Sequence, residues 1–202
     1  KGEYNDDSSQ TSCKRCVGGK YSAAEEKGQI SESVCKSCVE GTYSNDGSGM
    51  TSIDTCKSCV GGKYSDAGTG QTAESVCKSC VGGKYSDTGS GMTSINTCKS
   101  CVGGKYSDAG PRQISESVCK SCVGGKYSSD GSGMTTSDTC KPCIRGKFSD
   151  QSAQTSCKSC EVGQYTDTSA QSNCKKCEKG EYNDDSSQTS CKRCVGGKYS
   201  AA

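Results

Sequence analysis

Apolar residues occur singly along this chain, without the spacing of three and four residues that marks one face of an α-helix. Several of them fall in the phrase Val-Gly-Gly-Lys-Tyr-Ser, which begins for example at Val60. The pair Gly61-Gly62 suits a tight turn that needs positive φ, and Lys-Tyr-Ser after it predicts a strand of about three residues. We expect Ser-Val-Cys or Asp-Thr-Cys, at the far end of the next loop, to pair with that strand. The pattern predicts one small, irregular hairpin per phrase and no helix.

Cysteine occurs only in Cys-x-x-Cys pairs, and their spacing divides the chain into repeats. We number the repeats 1 to 10 from the cysteines that begin the pairs, which are Cys13, Cys35, Cys56, Cys77, Cys98, Cys119, Cys140, Cys157, Cys174 and Cys191. The first step is 22 residues, the next five are 21 and the last three are 17. Periods near 20 residues are typical of arrays whose units are too small to be stable alone and pack against their neighbours.

The repeats fall into two classes by length. Residues 1–139 carry the long repeats of 21–22 residues, in which loops of the type Gln-x-x-Glu-Ser-Val alternate with loops containing Gly-Ser-Gly-Met. Residues 140–190 carry the short repeats of 17 residues, and residues 191–202 begin the next period. Residues 1–24 are identical to residues 179–202, an offset of 178 residues that equals nine repeats. We expect the sequence to be a window onto a longer array.

The composition excludes a globular domain with a large core. The apolar class is 29% of the chain, and it includes 20 Cys, one Phe, no Trp and no Leu. So few apolar side chains cannot offset the roughly 1–2 kcal/mol of backbone entropy lost per ordered residue. The density of Cys supplies another source of order, because it is typical of a disulfide scaffold. We therefore predict a small disulfide-rich fold, all-β or irregular, that forms an extended, solenoid-like tandem-repeat rod with no large hydrophobic core.

Three chemistries use the Cys-x-x-Cys spacing. A redox pair needs a folded domain that lowers the pKa of one thiol, and ten copies in a chain without such a domain disfavour it. Zinc needs two pairs for four thiolates, but the chain has no His, and nine pairs per period cannot all combine two by two. Structural disulfides are the favoured interpretation, and we expect no cofactor and no metal site.

The odd number of pairs per period bears on how the disulfides are wired. If neighbouring pairs closed into modules of four Cys, nine pairs per period would leave one pair over. A ladder from the second Cys of each repeat to the first Cys of the next repeats after every single repeat, so it has no such conflict. Spacing alone does not fix connectivity, so both remain open. The ladder predicts the bonds Cys16–Cys35, Cys38–Cys56, Cys59–Cys77, Cys80–Cys98, Cys101–Cys119, Cys122–Cys140, Cys143–Cys157, Cys160–Cys174 and Cys177–Cys191. Each closed loop would contribute roughly 3 kcal/mol.

The repeat at Cys77-Lys-Ser-Cys80-Val-Gly-Gly83-Lys-Tyr85-Ser86 resembles the ephrin-receptor-like cysteine-rich repeat, a relative of the TNF-receptor and EGF-like extracellular modules. The resemblance covers essentially the whole chain. It departs from the family after the second Cys, where a Pro is common and this chain has Val17, Val39 or Glu161. The resemblance implies extended extracellular rods, often in long tandem arrays on surface proteins of single-celled eukaryotes, and it implies no activity.

Two recurring side chains have simple structural interpretations. An aromatic residue stands five residues after each second Cys, and we expect it to pack against the disulfides; these residues are Tyr21, Tyr43, Tyr64, Tyr85, Tyr106, Tyr127, Phe148, Tyr165, Tyr182 and Tyr199. Lys follows the first Cys of every repeat and Asp often follows Tyr-Ser, as in Asp66. We expect these charges on solvated faces, where an ion pair contributes about 0–1 kcal/mol.

Charge and composition narrow the function classes. The net charge is +2 with both signs interspersed, which disfavours a nucleic-acid partner, and no apolar run approaches the length of a membrane span. Without His there is no nucleophile and base arrangement of the usual kind, so we expect no enzyme activity. The chain is rich in Ser and Thr in its loops, which makes O-glycans plausible.

These observations favour a secreted structural protein at the cell surface or in a matrix. We expect a subunit of an extracellular filament or fibre, a disulfide-laddered rod that associates with itself or assembles laterally. The alternative is the stalk of a cell-surface receptor or adhesin, with a binding head outside this sequence. Near-identical repeats mildly favour the structural role, because a ligand site usually needs one unit to differ.

Overall fold

The computed structural model describes residues 1–25 and 28–196. Tyr199 and the strand predicted around it, within the predicted segment 191–202, lie outside the described residues. The chain forms two compact bodies, which are treated separately below. The first body comprises Lys1–Lys99 and Pro111–Glu116, and the second comprises Ser100–Gly110 and Ser117–Ala202.

The described residues form short strands of two residues each, and consecutive strands pair in two-stranded sheets. The strands are β1 (Glu3–Tyr4), β2 (Lys14–Arg15), β3 (Lys20–Tyr21), β4 (Lys36–Ser37), β5 (Thr42–Tyr43), β6 (Lys57–Ser58), β7 (Lys63–Tyr64), β8 (Lys78–Ser79), β9 (Lys84–Tyr85), β10 (Lys99–Ser100), β11 (Lys105–Tyr106), β12 (Lys120–Ser121), β13 (Lys126–Tyr127), β14 (Lys141–Pro142), β15 (Lys147–Phe148), β16 (Lys158–Ser159), β17 (Gln164–Tyr165), β18 (Lys175–Lys176), β19 (Glu181–Tyr182) and β20 (Lys192–Arg193).

The hairpin of β7 and β8 shows the geometry of a repeat. A turn precedes β7, in which the Lys63 N–H donates to the Val60 carbonyl at 3.1 Å and Gly62 has φ of 76°. The strands are antiparallel, with Tyr64 opposite Lys78. The sequence therefore predicts one hairpin per repeat correctly. It is wrong about the returning strand, which follows the first Cys instead of ending at it.

The residues expected to form the returning strand belong to a one-turn 3-10 helix. Such helices end the loops of the long repeats, at Glu32–Val34, Ile53–Thr55, Glu74–Val76, Ile95–Thr97, Glu116–Val118 and Ser137–Thr139. At the second of these, the Ser52 hydroxyl accepts from the Asp54 N–H and the Cys56 N–H donates to the Ile53 carbonyl. Main-chain groups used in this turn cannot also pair with a strand. None of the described helices has the length and apolar character that a membrane span requires.

In most of the described repeats, the second Cys lies where the main chains of three repeats meet. In the first body, the Cys59 N–H donates to the Gly41 carbonyl at 2.9 Å, and the Cys59 carbonyl accepts from the Gly91 N–H at 2.8 Å. The same pair of bonds recurs in the second body, where Cys143 donates to Gly125 and accepts from Ala170. Each of these repeats is therefore hydrogen-bonded to the repeat before it and to the loop of the repeat after it.

Burial is confined to small clusters within the stacked repeats. One cluster contains Tyr64, Cys80, Met92 and Cys98, and another contains Tyr4, Cys16 and Cys35 with Val34 against it. The predicted fold class is confirmed: the described residues form hairpins of short strands, are joined by serial disulfides and have no large hydrophobic core.

Candidate functional site: the disulfide and tyrosine ladder

The most regular feature of the molecule is a series of disulfides between consecutive repeats. Their Cα–Cα distances lie between 5.4 and 5.8 Å, within the usual range. The described bonds are Cys16–Cys35, Cys38–Cys56, Cys59–Cys77, Cys80–Cys98, Cys101–Cys119, Cys122–Cys140, Cys143–Cys157, Cys160–Cys174 and Cys177–Cys191. Cys13 and Cys194 are unbonded within this chain. The order of pairing is that of a ladder, and its wiring stays a prediction that peptide mapping tests.

The two cysteines of a disulfide differ in burial. The second Cys of a repeat is at most 1% exposed in Cys16, Cys38, Cys59, Cys80, Cys101, Cys122, Cys143 and Cys160. Its partner, the first Cys of the next repeat, is 6–9% exposed in several long repeats, as in Cys77 and Cys98. The second Cys is buried because its main-chain N–H and carbonyl are hydrogen-bonded to the repeats before and after it. The same residue therefore takes part in the stacking of the repeats and in the disulfide.

At two positions, the aromatic residue of a repeat packs against the next disulfide. Tyr64 packs in one cluster with Cys80 and Cys98, which form the disulfide after its own repeat's bond. Tyr4 packs in the same way with Cys16 and Cys35. The packing of tyrosine against disulfides that the sequence predicts is confirmed at these two positions.

Methionine completes these clusters, and sequence reasoning missed it. Met50 and Met92 are each 5% exposed, and the sulfur of each accepts a hydrogen bond from a serine six residues earlier in the same repeat, Ser44 and Ser86 respectively. Bridges of the parallel type join Tyr21 to Met50 and Tyr43 to Gln71. The alternation of Met and Gln at this position was visible in the sequence, but nothing in a Gly-Ser-Gly-Met loop indicated that its last residue was buried.

Glycine lets the loop of a later repeat approach the hairpin turn. A Cβ atom at Gly62 would lie 2.5 Å from the Arg112 carbonyl oxygen, closer than real Cβ contacts. The corresponding Cβ at Gly19 would overlap the main chain of Gly70, and the one at Gly125 would overlap that of Ala170. The second glycine of the turn is therefore needed for positive φ and also for contact with the main chain about two repeats further on.

Ion pairs lie across the hairpins and face solvent. Lys78 Nζ lies 2.7 Å from an Asp66 carboxylate oxygen, and the equivalent distance in a short repeat, Lys175 to Asp167, is 3.0 Å. The hydrogen bond from Lys78 lowers the pKa of Asp66 below its ordinary value, and the same bond raises the pKa of Lys78. About half of each side chain is exposed, as the sequence predicts for solvated faces, so the pairs contribute little individually.

A recurring aliphatic side chain is also exposed. It follows the second Cys directly, and about half to two thirds of its surface is accessible in Val17, Val39, Val60, Val81, Val102, Val123 and Ile144. Single exposed apolar residues are ordinary, but their recurrence at one position of successive repeats is not. In the described part of the chain, no group of three or more His, Cys, Asp and Glu side chains is placed to hold a metal ion.

Residues 125–173 match the family model described as tyrosine-protein kinase ephrin type A/B receptor-like. This segment is similar to the ephrin-receptor-like cysteine-rich repeat. It runs from the hairpin turn of repeat 6 through repeats 7 and 8, and the resemblance inferred from the sequence is thereby confirmed. A search of curated proteins found no match.

The matched family is a non-catalytic kind of extracellular module. Together with the serial disulfides, it suggests an extracellular location and either a structural or a receptor-stalk role.

Proposed function

We propose that this chain is a structural subunit of a secreted extracellular filament or fibre, a rod whose length is set by the number of repeats. The observation that carries the proposal is the position of the second Cys. In residues such as Cys59 and Cys143, one buried amino acid holds a disulfide to the next repeat and main-chain hydrogen bonds to repeats on both sides.

This arrangement suits a part that bears load and meets proteases. Each disulfide closes a loop of 14 to 19 residues, which by the chain-entropy model contributes roughly 3 kcal/mol. Every repeat is stapled separately, so local opening of one loop leaves its neighbours closed. Stability therefore does not require a common core, and further repeats can be added to the array without changes in the existing ones.

The surface offers features for lateral assembly. The aliphatic residues after the second Cys of repeats 1 to 7, for example Val60 and Val81, recur at one position of successive repeats, and the ion pair Lys78–Asp66 recurs as Lys99–Asp87. A neighbouring rod with the same period would contact both the aliphatic side chains and the ion pairs in register. Exposed Ser and Thr residues in the loops are the positions at which we expect O-glycans.

Electron microscopy of unreduced native material tests the filament. We expect long fibres whose axial repeat corresponds to nine repeats of the sequence, because residues 1–24 return at residues 179–202. Separate short rods that end in globular heads would contradict the proposal and would favour the stalk of a receptor or adhesin. That second function is supported by the receptor-like family matched at residues 125–173.

Peptide mapping tests the ladder on which the proposal depends. A non-reducing digest is expected to contain linked peptides such as Cys59 with Cys77 and Cys160 with Cys174. Links within a single Cys-x-x-Cys pair, or between the two first cysteines of neighbouring repeats, would show that the ladder is wrong. The digest should be made at acidic pH after alkylation, because free thiolates reshuffle disulfides.

A further inference from the structure

Three methionines occupy the same position in three repeats, but one of them has a different environment. Met50, Met92 and Met134 are the last residues of the Gly-Ser-Gly-Met sequences in repeats 2, 4 and 6, and the chain has no other methionine. Met50 and Met92 are each 5% exposed, whereas Met134 is only partly buried. The same loop type therefore buries two methionines and leaves the third accessible to solvent.

The serine six residues before each methionine shows the same difference. The hydroxyls of Ser44 and Ser86 donate to the sulfur atoms of Met50 and Met92 at 2.7 and 2.8 Å. Ser128 is the corresponding serine of repeat 6, and it is 0% exposed. Its hydroxyl oxygen has no hydrogen-bond partner among the described residues. A buried hydroxyl without a partner is costly, because it has lost its bonds to water and gained none in exchange.

The main chain around Met134 is nevertheless arranged as it is around Met92. The Met92 carbonyl accepts from the Ser65 N–H and the Met134 carbonyl accepts from the Ser107 N–H, both at 2.8 Å. Each methionine also forms a parallel bridge with the tyrosine that precedes that serine. The two methionine side chains therefore begin from equivalent positions relative to the preceding repeat.

The two environments differ in the repeat that follows. The Ser86 N–H donates to the Gln113 carbonyl at 2.8 Å, and the Ser128 N–H donates to the Gln154 carbonyl at 3.0 Å. Gln113 lies in a long repeat and precedes the 3-10 turn Glu116–Val118, whereas Gln154 lies in the first short repeat, which lacks this turn. The junction of long and short repeats thus places a shorter loop beside Ser128, whose hydroxyl does not reach the methionine sulfur.

We propose that Met134 is a modification site at which a hydroperoxide oxidises the thioether to the sulfoxide, and that the Ser128 hydroxyl donates to the new oxygen. A sulfoxide oxygen is a stronger acceptor than a thioether sulfur, and it extends one bond further from the side chain. The serine at this position reaches the methionine sulfur in repeats 2 and 4, so the added oxygen bridges a gap that is specific to repeat 6. Oxidation there supplies the partner that the buried hydroxyl lacks.

The oxidation has only the methionine and the hydroperoxide as reactants. The sulfur lone pair attacks the terminal peroxide oxygen, an S–O bond forms, and the O–O bond breaks. The proton on the transferred oxygen passes to the leaving oxygen, which departs as water or an alcohol. The sulfur is oxidised and the peroxide is reduced, so the step is balanced without a cofactor.

The same reaction is disfavoured at Met50 and Met92. Each sulfur belongs to a buried residue and already accepts a hydrogen bond, so the reaction requires local opening of the repeat. Met92 also packs in the cluster of Tyr64 with the disulfide Cys80–Cys98, where an additional polar oxygen is unfavourable. Repeat 6 therefore consumes oxidant at its surface, while the methionines of repeats 2 and 4 are protected.

The oxidation site goes beyond the proposed filament and does not depend on it. It requires only that the folded chain meets a hydroperoxide, which a fibre and a receptor stalk would both do outside the cell. Fibres in which all three methionines are oxidised at the same rate would overturn the site and leave the filament standing.

The first test compares the three methionines within one chain. The purified 202-residue chain, with its disulfides intact and its free thiols alkylated, is treated with increasing hydrogen peroxide at neutral pH, quenched, digested and mapped by mass spectrometry. We expect Met134 to be oxidised at least roughly tenfold faster than Met50 and Met92, because it alone reacts without opening of its repeat. In the chain unfolded by reduction and urea, the three rates should become equal. Equal rates in the folded chain, or faster oxidation of Met50 or Met92, would overturn the proposal.

Two serine variants test the hydrogen bond to the sulfoxide. Ser86→Ala removes a bonded hydroxyl, so we expect it to lower the protection of repeat 4 against hydrogen exchange before any oxidation. Ser128→Ala removes an unbonded hydroxyl, so we expect no loss of protection in repeat 6 while Met134 is reduced. In the parent chain, oxidation of Met134 should raise the protection of repeat 6 by about fivefold, the effect of one hydrogen bond.

The rise in protection has two controls. Ser128→Ala should abolish it, because the donor is missing, and Met134→Leu should show no response to peroxide, because the sulfur is missing. A rise that persists in Ser128→Ala, or a parent chain in which oxidation of Met134 lowers the protection of repeat 6, contradicts the assigned role of the serine.

Discussion

The long and short repeats differ by about four residues, yet they form the same hairpin. The Lys–Asp pair across the hairpin spans 12 residues in the long repeats, as in Lys120 and Asp108, and 8 in the short ones, as in Lys175 and Asp167. The strands keep the same register, with Tyr106 opposite Lys120 and Tyr165 opposite Lys175. The short repeats lack the four residues that include the 3-10 turn, but their paired strands are unchanged. The repeat is therefore defined by its hairpin and disulfide, and its loop can vary in length without changing either.

The loop residue that covers the hairpin turn differs between the two classes. It is glycine with positive φ in most long repeats, as at Gly70 and Gly133, but Ala153, Ala170 and Ser187 adopt positive φ in the short repeats. The covering contact is made by main chain in both classes. Stacking therefore imposes the backbone conformation, and the short repeats accept the strain of an L-residue there.

The largest expected effect comes from removing one disulfide in each class. Cys80→Ala with Cys98→Ala opens a loop of 18 residues, and Cys160→Ala with Cys174→Ala opens one of 14. Each pair should lower the free energy of local unfolding by roughly 3 kcal/mol, with a difference of only about 0.2 kcal/mol between them. Native-state hydrogen exchange of the affected repeat measures both. A much larger cost in one class would show that packing, and not loop closure, sets its stability.

The next effect tests the close main-chain contact. Gly62→Ala adds a methyl group 2.5 Å from the Arg112 carbonyl oxygen, whereas Gly68→Ala, with φ of 73°, meets open space. Because the two share the positive-φ cost, we expect Gly62→Ala to be less stable than Gly68→Ala by about 2 kcal/mol in thermal or denaturant unfolding.

The same contrast can be made where a short repeat supplies the covering loop. Gly125→Ala would meet Ala170, and Gly131→Ala is its open control. We expect Gly125→Ala to be the less stable of the two in thermal or denaturant unfolding. If Gly125→Ala and Gly131→Ala lower the stability equally, while Gly62→Ala and Gly68→Ala differ clearly, the loops of the short repeats shift to accommodate the methyl group and those of the long repeats do not.

The sequence predicts local features of this fold better than the contacts between repeats. The Gly-Gly turn and the short apolar phrase after it were enough to predict a hairpin in each repeat, because both strands belong to one stretch of the chain. The composition was enough to predict the absence of a large core. The returning strand was misplaced, since Glu74–Val76 satisfies its own main chain in a 3-10 turn. The contacts of Gly62 with Arg112 and of Tyr21 with Met50 depend on how successive repeats stack, and no periodicity within one repeat encodes that.

A smaller effect, of opposite sign in the two classes, is expected at the covering loop residue. Ala170→Gly relieves about 1–2 kcal/mol of left-handed strain and costs about 0.5–1 kcal/mol through the freer unfolded chain, so it should stabilise by up to about 1.5 kcal/mol. Gly133→Ala should destabilise by a similar amount, because its Cβ would meet only the Ser100 side chain, with Oγ at an ordinary 3.6 Å. Denaturant midpoints measure both. Destabilisation by Ala170→Gly would mean that the alanine methyl group makes a contact worth more than the strain.

The smallest expected effect is the pH dependence of the cross-hairpin ion pairs. The hydrogen bonds from Lys120 and Lys175 lower the pKa values of Asp108 and Asp167 in the folded state. A carboxyl with a lowered folded-state pKa stabilises the fold above its unfolded pKa and loses that contribution as the pH falls through the folded value. The loss therefore lies below the ordinary range of Asp, and it should be small and reduced by salt, because the pairs are exposed. Thermal midpoints between neutral and strongly acidic pH should fall slightly less for Asp108→Asn and Asp167→Asn than for the parent chain, and equally in the two classes, because the hairpin geometry is the same. A change confined to one class would show that loop length alters the pair after all.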